Sequence, residues 1–175
     1  MPCFVKCIIP IRVNPPFKMP ELNVVLHQPE IPSNTGNIAR TCLATGARLH
    51  LVKPLGFSID DRQLKRAGMD YWHEVDVRLW ESLEELFAAT EPAMERRFFF
   101  TTKSRRPYFE ADYQPGDWFF FGRETKGVPE PLLAAHAGQC VTIPMTNGAR
   151  SLNLSVAVGV AVFEARRQFA AKEAF

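Results

Sequence analysis

Three stretches of this chain place polar side chains and glycines where they could hold a ligand. The first is Asn34-Thr35-Gly36-Asn37-Ile38-Ala39-Arg40. If it is helical, Gly36, Asn37 and Arg40 share one face. A guanidinium beside helix N-terminal amides suits a phosphate. A helix capped by Ser33 or Asn34, with a surface arginine, fits the same residues. The second stretch is Phe121-Gly122-Arg123-Glu124-Thr125-Lys126-Gly127-Val128-Pro129, a charged turn between two glycines. Glycine permits positive φ and close backbone approach, although an ordinary connecting turn has this composition too. It lacks the Gly-Lys-Ser/Thr of a phosphate loop and the GxGxxG of dinucleotide sites. The third is Ile143-Pro144-Met145 followed by Arg150-Ser151-Leu152-Asn153-Leu154-Ser155. There Ser151, Asn153 and Ser155 suit either a site or a helix start.

These loops need elements to position them. Leu22–Leu26 is a branched apolar run of the kind found in buried parallel strands. After a proline-containing loop, a helix follows in which Ala39, Cys42, Leu43 and Gly46 form one stripe. Leu49–Val52 reads as a strand, Asp61–Ala67 as a short helix, Val75–Val77 as a strand and Ser82–Ala89 as a helix. Phe98–Thr101 and Trp118–Phe121 read as aromatic strands, Pro131–Ala135 as a helix and Cys140–Ile143 as a strand. A last helix begins near Leu152, with Val156, Val160 and Phe163 at i, i+4 and i+7. Strands alternating with helices predict an α/β fold around a mostly parallel sheet. In such sheets ligands bind beyond the carboxyl ends of the strands, where all three loops fall.

The 175 residues suit one domain, expected over 21–175, with residues 1–20 as a tail and Met19 as a possible second start. The apolar share of 46% excludes disorder, and no apolar run reaches the length of a membrane span. Cys3, Cys7, Cys42 and Cys140 are too scattered for a disulfide scaffold, and no second pair matches Cys3 and Cys7 as a metal site. A reducing cytoplasm is the expected setting. Of 21 basic residues, Lys6, Arg12 and Lys18 lie in the first eighteen positions, which hold no acid; the rest carries 18 basic against 19 acidic residues. That balance excludes a globally basic nucleic-acid-binding domain, so any RNA contact must come from local clusters. Arg62, Lys65 and Arg66 on one helical face, and Lys103, Arg105 and Arg106 in a loop, are the candidates, with a solvated surface the alternative.

Taken in order, the three motifs resemble those of the SPOUT superfamily, in its SpoU branch of RNA ribose 2'-O-methyltransferases. The similarity is greatest to the small tRNA (cytidine/uridine-2'-O)-methyltransferases that act at the wobble position. Pro54-Leu55-Gly56-Phe57, Lys65-Arg66-Ala67-Gly68-Met69-Asp70-Tyr71 and Phe100-Thr101-Thr102-Lys103 resemble that subgroup as well. The resemblance implies S-adenosylmethionine as methyl donor, a C-terminal trefoil knot, no metal, tRNA as substrate with leucine tRNAs foremost, and a homodimer with active sites near the interface. By motif position it implies cofactor contacts at Phe100, Gly122, Ile143, Met145, Ser151 and Leu152. It implies catalytic roles for Arg40, Asn34, Glu124, Ser151 and Asn153. A guanidinium holds no acceptor, so Arg40 reads as a clamp on an RNA phosphate that orients the ribose hydroxyl, with that phosphate a candidate proton acceptor.

Three alternatives remain at this point: a 2'-O-methyltransferase for another RNA such as ribosomal RNA, a non-catalytic RNA-binding protein of the same fold, and a generic nucleotide-binding domain. His27, His50 and His136 read as satisfied structural histidines, the Phe98–Phe100 and Trp118–Phe121 runs as core, and Trp72 and His73 as packing. Arg166 and Arg167 suit the end of the last helix.

Overall fold

The computed structural model describes residues 22–58, 72–90, 94–146 and 148–173. The tail, the Asp61–Ala67 helix, Cys3, Cys7 and the Arg62, Lys65, Arg66 cluster lie outside them. Six parallel strands form one sheet: β1 (Asn23–His27), β2 (Arg48–Val52), β3 (Val77–Trp80), β4 (Arg97–Phe100), β5 (Trp118–Phe121) and β6 (Cys140–Val141). Their spatial order is β3-β2-β1-β5-β4-β6. The helices are α1 (Pro32–Thr45), α2 (Leu83–Thr90), α3 (Glu130–Ala135) and α4 (Leu154–Glu173).

The aromatic strands are apolar throughout because both faces of the sheet are covered. Val24, Leu26, Phe98, Phe100, Phe119 and Phe121 face the layer containing α1 and α4. Their neighbours Val25, Phe99 and Phe120 point the other way, toward Leu86 of α2 and Leu133 of α3. One strand residue per side is the period-2 geometry of a pleated chain.

Several local expectations shift. β3 starts at Val77 rather than Val75, because Val75 packs into the core from the preceding turn. β6 stops at Val141, where Thr142 turns to bond with the 106–108 loop: Thr142 N–H donates to Arg106 O and Tyr108 N–H to Thr142 O, both at 2.8 Å. α1 begins at Pro32 without a side-chain cap from Ser33 or Asn34, and Asn34 is buried instead. Gly46 is not part of the buried stripe; it ends α1 at φ 65°, a left-handed turn that glycine adopts without strain. Gly36 is buried, apart from the exposed face that carries Asn37 and Arg40.

α4 also departs from expectation. Its core face is Val158, Ala161, Val162, Ala165 and Phe169, whereas Val156 and Phe163 are 51% and 59% exposed. The stripe legible in sequence is therefore the outward one. Small residues at 161 and 165 let the inward face sit close to the sheet. Arg166 donates to Thr45 O, tying α4 to the end of α1, and Arg167 pairs with Glu164. The path from β6 past the 106–108 loop and back to α1 is consistent with the trefoil knot that the resemblance implies.

Candidate active site

Strand order reverses between β1 and β5, so the loops leaving their carboxyl ends diverge over a crevice. Arg123 bridges it by donating to Gln28 Oε1 through Nε at 2.8 Å. Two glutamates lock the loops together reciprocally. Glu30 accepts from Thr125 N–H at 3.0 Å and from the Thr125 hydroxyl. Those bonds hold its carboxyl below the usual carboxylate range. Glu124 in turn accepts from Glu30 N–H at 2.8 Å, Ile31 N–H at 3.3 Å and Asn34 Nδ2 at 3.0 Å. Ile31 is the N-cap residue of α1, so a carboxylate from a distant loop stands where a local cap was expected.

The network continues into the third loop. Asn153 Nδ2 donates to Asn34 Oδ1 at 2.9 Å, and Asn153 Oδ1 accepts from the Ser155 N–H and hydroxyl at 2.8 and 2.7 Å. An ionised carboxylate only accepts, and this fixes which way each amide faces. The polarity runs from Ser155 through Asn153 and Asn34 to Glu124. Asn153 thus caps α4 and belongs to the site at once.

Glycine geometry shapes the second loop. A Cβ on Gly122 would lie 1.9 Å from the carbonyl carbon of Gly127, and Gly127 itself has φ 68°. Gly127 N–H donates to Arg123 O at 2.8 Å, closing the turn. The close approach expected at Gly122 is made by backbone within the protein. Gly56 acts likewise: its Cβ would stand 2.7 Å from Glu30 Cα, so the Pro54–Phe57 segment braces the first loop.

Together the loops wall a cavity of about 640 Å³. Of the residues singled out from sequence, Asn34, Phe100, Gly122, Glu124, Ile143, Met145, Ser151, Leu152 and Asn153 all line it. Arg40 does not; it is exposed on α1. Phe100, Ile143 and Leu152 supply apolar walls, while Glu124, Ser151 and backbone groups supply polar ones. That mixture suits an adenine-bearing, zwitterionic molecule such as S-adenosylmethionine. Among the described residues no cluster of His, Cys, Asp and Glu could hold a metal ion.

Glu30, Gln28 and Thr125 join the networks around the cavity although spacing did not single them out. Thr125 stood inside the second conspicuous stretch, and Gln28 and Glu30 only in the proline-containing loop before the first helix. Among the histidines, only His50 is fully satisfied. It accepts from Trp80 Nε1 at 3.0 Å, so Nε2 carries the proton toward Asn23 Oδ1 at 3.1 Å. His27 and His136 each leave a buried Nδ1 without a partner. Trp72 packs against the core, whereas His73 is exposed.

The SpoU rRNA Methylase family matches over residues 21–163. The chain belongs to the SpoU rRNA methylase family. Within that family, it is 49% identical over 147 residues to a tRNA (cytidine(34)-2'-O)-methyltransferase of Burkholderia pseudomallei (strain 1106a), covering 83% of this chain and 94% of that one. A solved structure described as giving insights into 2-OH methylation of C/U34 on tRNA is 46% identical with TM-score 0.81, covering 87% and 98%. An AdoMet-bound rRNA methyltransferase from Sinorhizobium meliloti is 29% identical with TM-score 0.73, covering 84% of this chain and 56% of that one. The SpoU-family α/β sheet and this chain's sheet are thus the same fold, with the cavity at its strand ends.

Proposed function

We propose that this protein transfers the methyl group of S-adenosylmethionine to the ribose 2'-hydroxyl of the wobble nucleotide of tRNA, a cytidine or modified uridine, with leucine tRNAs foremost. The observation that carries this reading is the convergence of three distant loops on one cavity, held by the chain Ser155–Asn153–Asn34–Glu124. In the reaction the 2'-oxygen gains the methyl carbon, the sulfur–carbon bond breaks to leave S-adenosylhomocysteine, and the hydroxyl proton passes to the RNA phosphate that Arg40 clamps. Holding hydroxyl and methyl in line supplies much of the rate. Gly122, Phe100, Ile143, Met145, Ser151 and Leu152 hold the cofactor. Glu124 and Asn34 act by fixing Asn153 and the loops, since Glu124's acceptor sites are occupied by N–H donors from its own chain.

Arg40 lies outside its own cavity, so its role as phosphate clamp needs a second protomer. Ile31 and Leu152 form an exposed apolar lip to the cavity, and Val156 and Phe163 are exposed further along α4. In an isologous homodimer built on this stripe, Arg40 of the partner subunit reaches each site. The cytoplasm is the proposed location, where tRNA is the substrate; among the described residues no helix is long and apolar enough to cross a membrane.

The test is incubation with labelled S-adenosylmethionine and bulk tRNA, followed by mapping of ribose methylation. Label at position 34 is expected. Label on ribosomal RNA alone, or cofactor binding without transfer, overturns the reading. For Arg40, co-expressing Arg40→Ala with Glu124→Ala is expected to restore transfer that neither variant shows alone. Near-normal turnover by Arg40→Ala alone sinks its role.

A further inference from the structure

Beside the cofactor cavity lies a second, more polar hollow of about 460 Å³, whose walls include Thr102, Thr142, Thr146 and Arg150. Thr102, Thr142 and Arg150 line both cavities, so the two volumes meet there. Among the described residues four cations line the cofactor cavity, and three have protein partners or close acids. Arg123 is held by Gln28, Lys103 pairs with Glu130, and Lys126 stands near the Glu30 carboxylate. Among the described residues Arg150 has no hydrogen-bond or ion-pair partner, and it is exposed at the junction. Three hydroxyls stand in the same wall, each able to donate one hydrogen bond to an anion. The neighbouring 104–108 loop is bonded to Thr142 through its backbone, and its Arg106 guanidinium is spent on the Gly138 and Glu110 carbonyls.

A planar guanidinium with unused donors, flanked by hydroxyls and opening beside the methyl-transfer cavity, is a receptor for a tetrahedral oxyanion. We infer that Arg150, with Thr102 and Thr142, grips an RNA phosphodiester next to the methylated ribose. This inference rests on the methyl-transfer reading above and adds a same-subunit anchor to it. It separates two phosphate contacts. Arg40 of the partner subunit holds the reacting nucleotide, and Arg150 holds the strand as it leaves the cavity. Such a contact positions the backbone and carries no base preference, so it acts alike on all substrate tRNAs. A second anion could occupy the place, namely the carboxylate of the methyl donor itself. The separate hollow favours the phosphodiester, and the experiment distinguishes the two.

Wild type, Arg150→Ala and Arg150→Lys are compared by calorimetric titration with S-adenosylmethionine and by tRNA binding across a salt series. The exposed, unpartnered side chain predicts an unchanged melting temperature. For Arg150→Ala, cofactor affinity is expected to stay within about twofold. tRNA affinity is expected to fall about tenfold at low salt, and the slope of log K against log salt to shrink by about one. Arg150→Lys should keep the slope, because it keeps the charge, while losing part of the affinity. Unchanged tRNA binding and slope overturn the inference. So does loss of cofactor affinity with tRNA binding intact, which assigns the anion to the methyl donor. A wild type that binds tRNA but never methylates it removes the catalytic reading and leaves the phosphate contact standing or falling on the slope alone.

Discussion

Glu124 shows how one charge can order the loops around a cavity. Three N–H donors converge on it, and the orientation of two asparagine amides follows from its being acceptor-only. Glu124→Gln therefore presents an NH₂ group to donors that need an acceptor. The expected loss is about 1.5–3 kcal/mol, the usual worth of a hydrogen bond to a charged group. That corresponds to about a tenfold to hundredfold fall in kcat/KM, read by methyl-transfer kinetics; a change below threefold contradicts the positioning role. Gly122 is more severe. Any side chain there collides with the Gly127 backbone, so Gly122→Ala is expected to cost more than about 3 kcal/mol or to open the second loop. Denaturant melts and cofactor titration together read that result. Arg40 marks what residue-level reading cannot supply. Its guanidinium stood out in the sequence, but its place on α1 outside the cavity is set by geometry that spacing does not contain.

At the scale of elements, β2 carries a buried polar device. His50 lies between Trp80 and Trp118, with ring centroids 5.9 and 4.6 Å away, and both its nitrogens are bonded. Burial, assisted by the nearby Arg48, holds its pKa down to about 3. The folded protein then keeps His50 neutral while the unfolded chain takes up a proton near pH 6.5. Stability from this group is complete above pH 6.5 and is lost as pH falls toward 3, by about 1.4 kcal/mol per unit. His27 and His136 are also held low by burial and act in the same direction. Urea unfolding between pH 7 and 5 should show the decline. An NMR titration should find the His50 ring unchanged down to pH 5, and a midpoint near 6.5 contradicts this account. The strands were legible because two-sided burial leaves continuous apolar runs. The start of α1 was not, because its cap comes from Glu124, ninety-odd residues away in sequence.

For the whole molecule, the outward apolar residues of α4 are the surface, among the described residues, on which the proposed homodimer is built. Val156 and Phe163 are 51% and 59% exposed and Leu152 at the cavity rim 39%, so the proposed homodimer would cover all three. The double substitution Val156→Glu with Phe163→Glu is expected to yield a folded monomer by sedimentation that still binds cofactor but no longer transfers methyl groups. A variant that stays dimeric, or a monomer with full turnover, refutes the shared site. Periodicity revealed that this helix has an apolar stripe, yet two of its faces are apolar, and only packing against β5 and α1 decided which one faces the core.

By itself, the order of residues determined the alternating α/β elements, the three chemically equipped loops and the family they resemble. Each of these depends on neighbours within a turn or a strand, where propensity and pattern act. Tertiary structure alone decided that Glu30 and Glu124 clamp two loops, that Gly122 and Gly56 lie against backbone, and that Arg150 borders the cavity while Arg40 does not. Those relations join positions up to 119 residues apart, such as Asn34 and Asn153. No local rule couples such positions until the sheet brings the strand ends together.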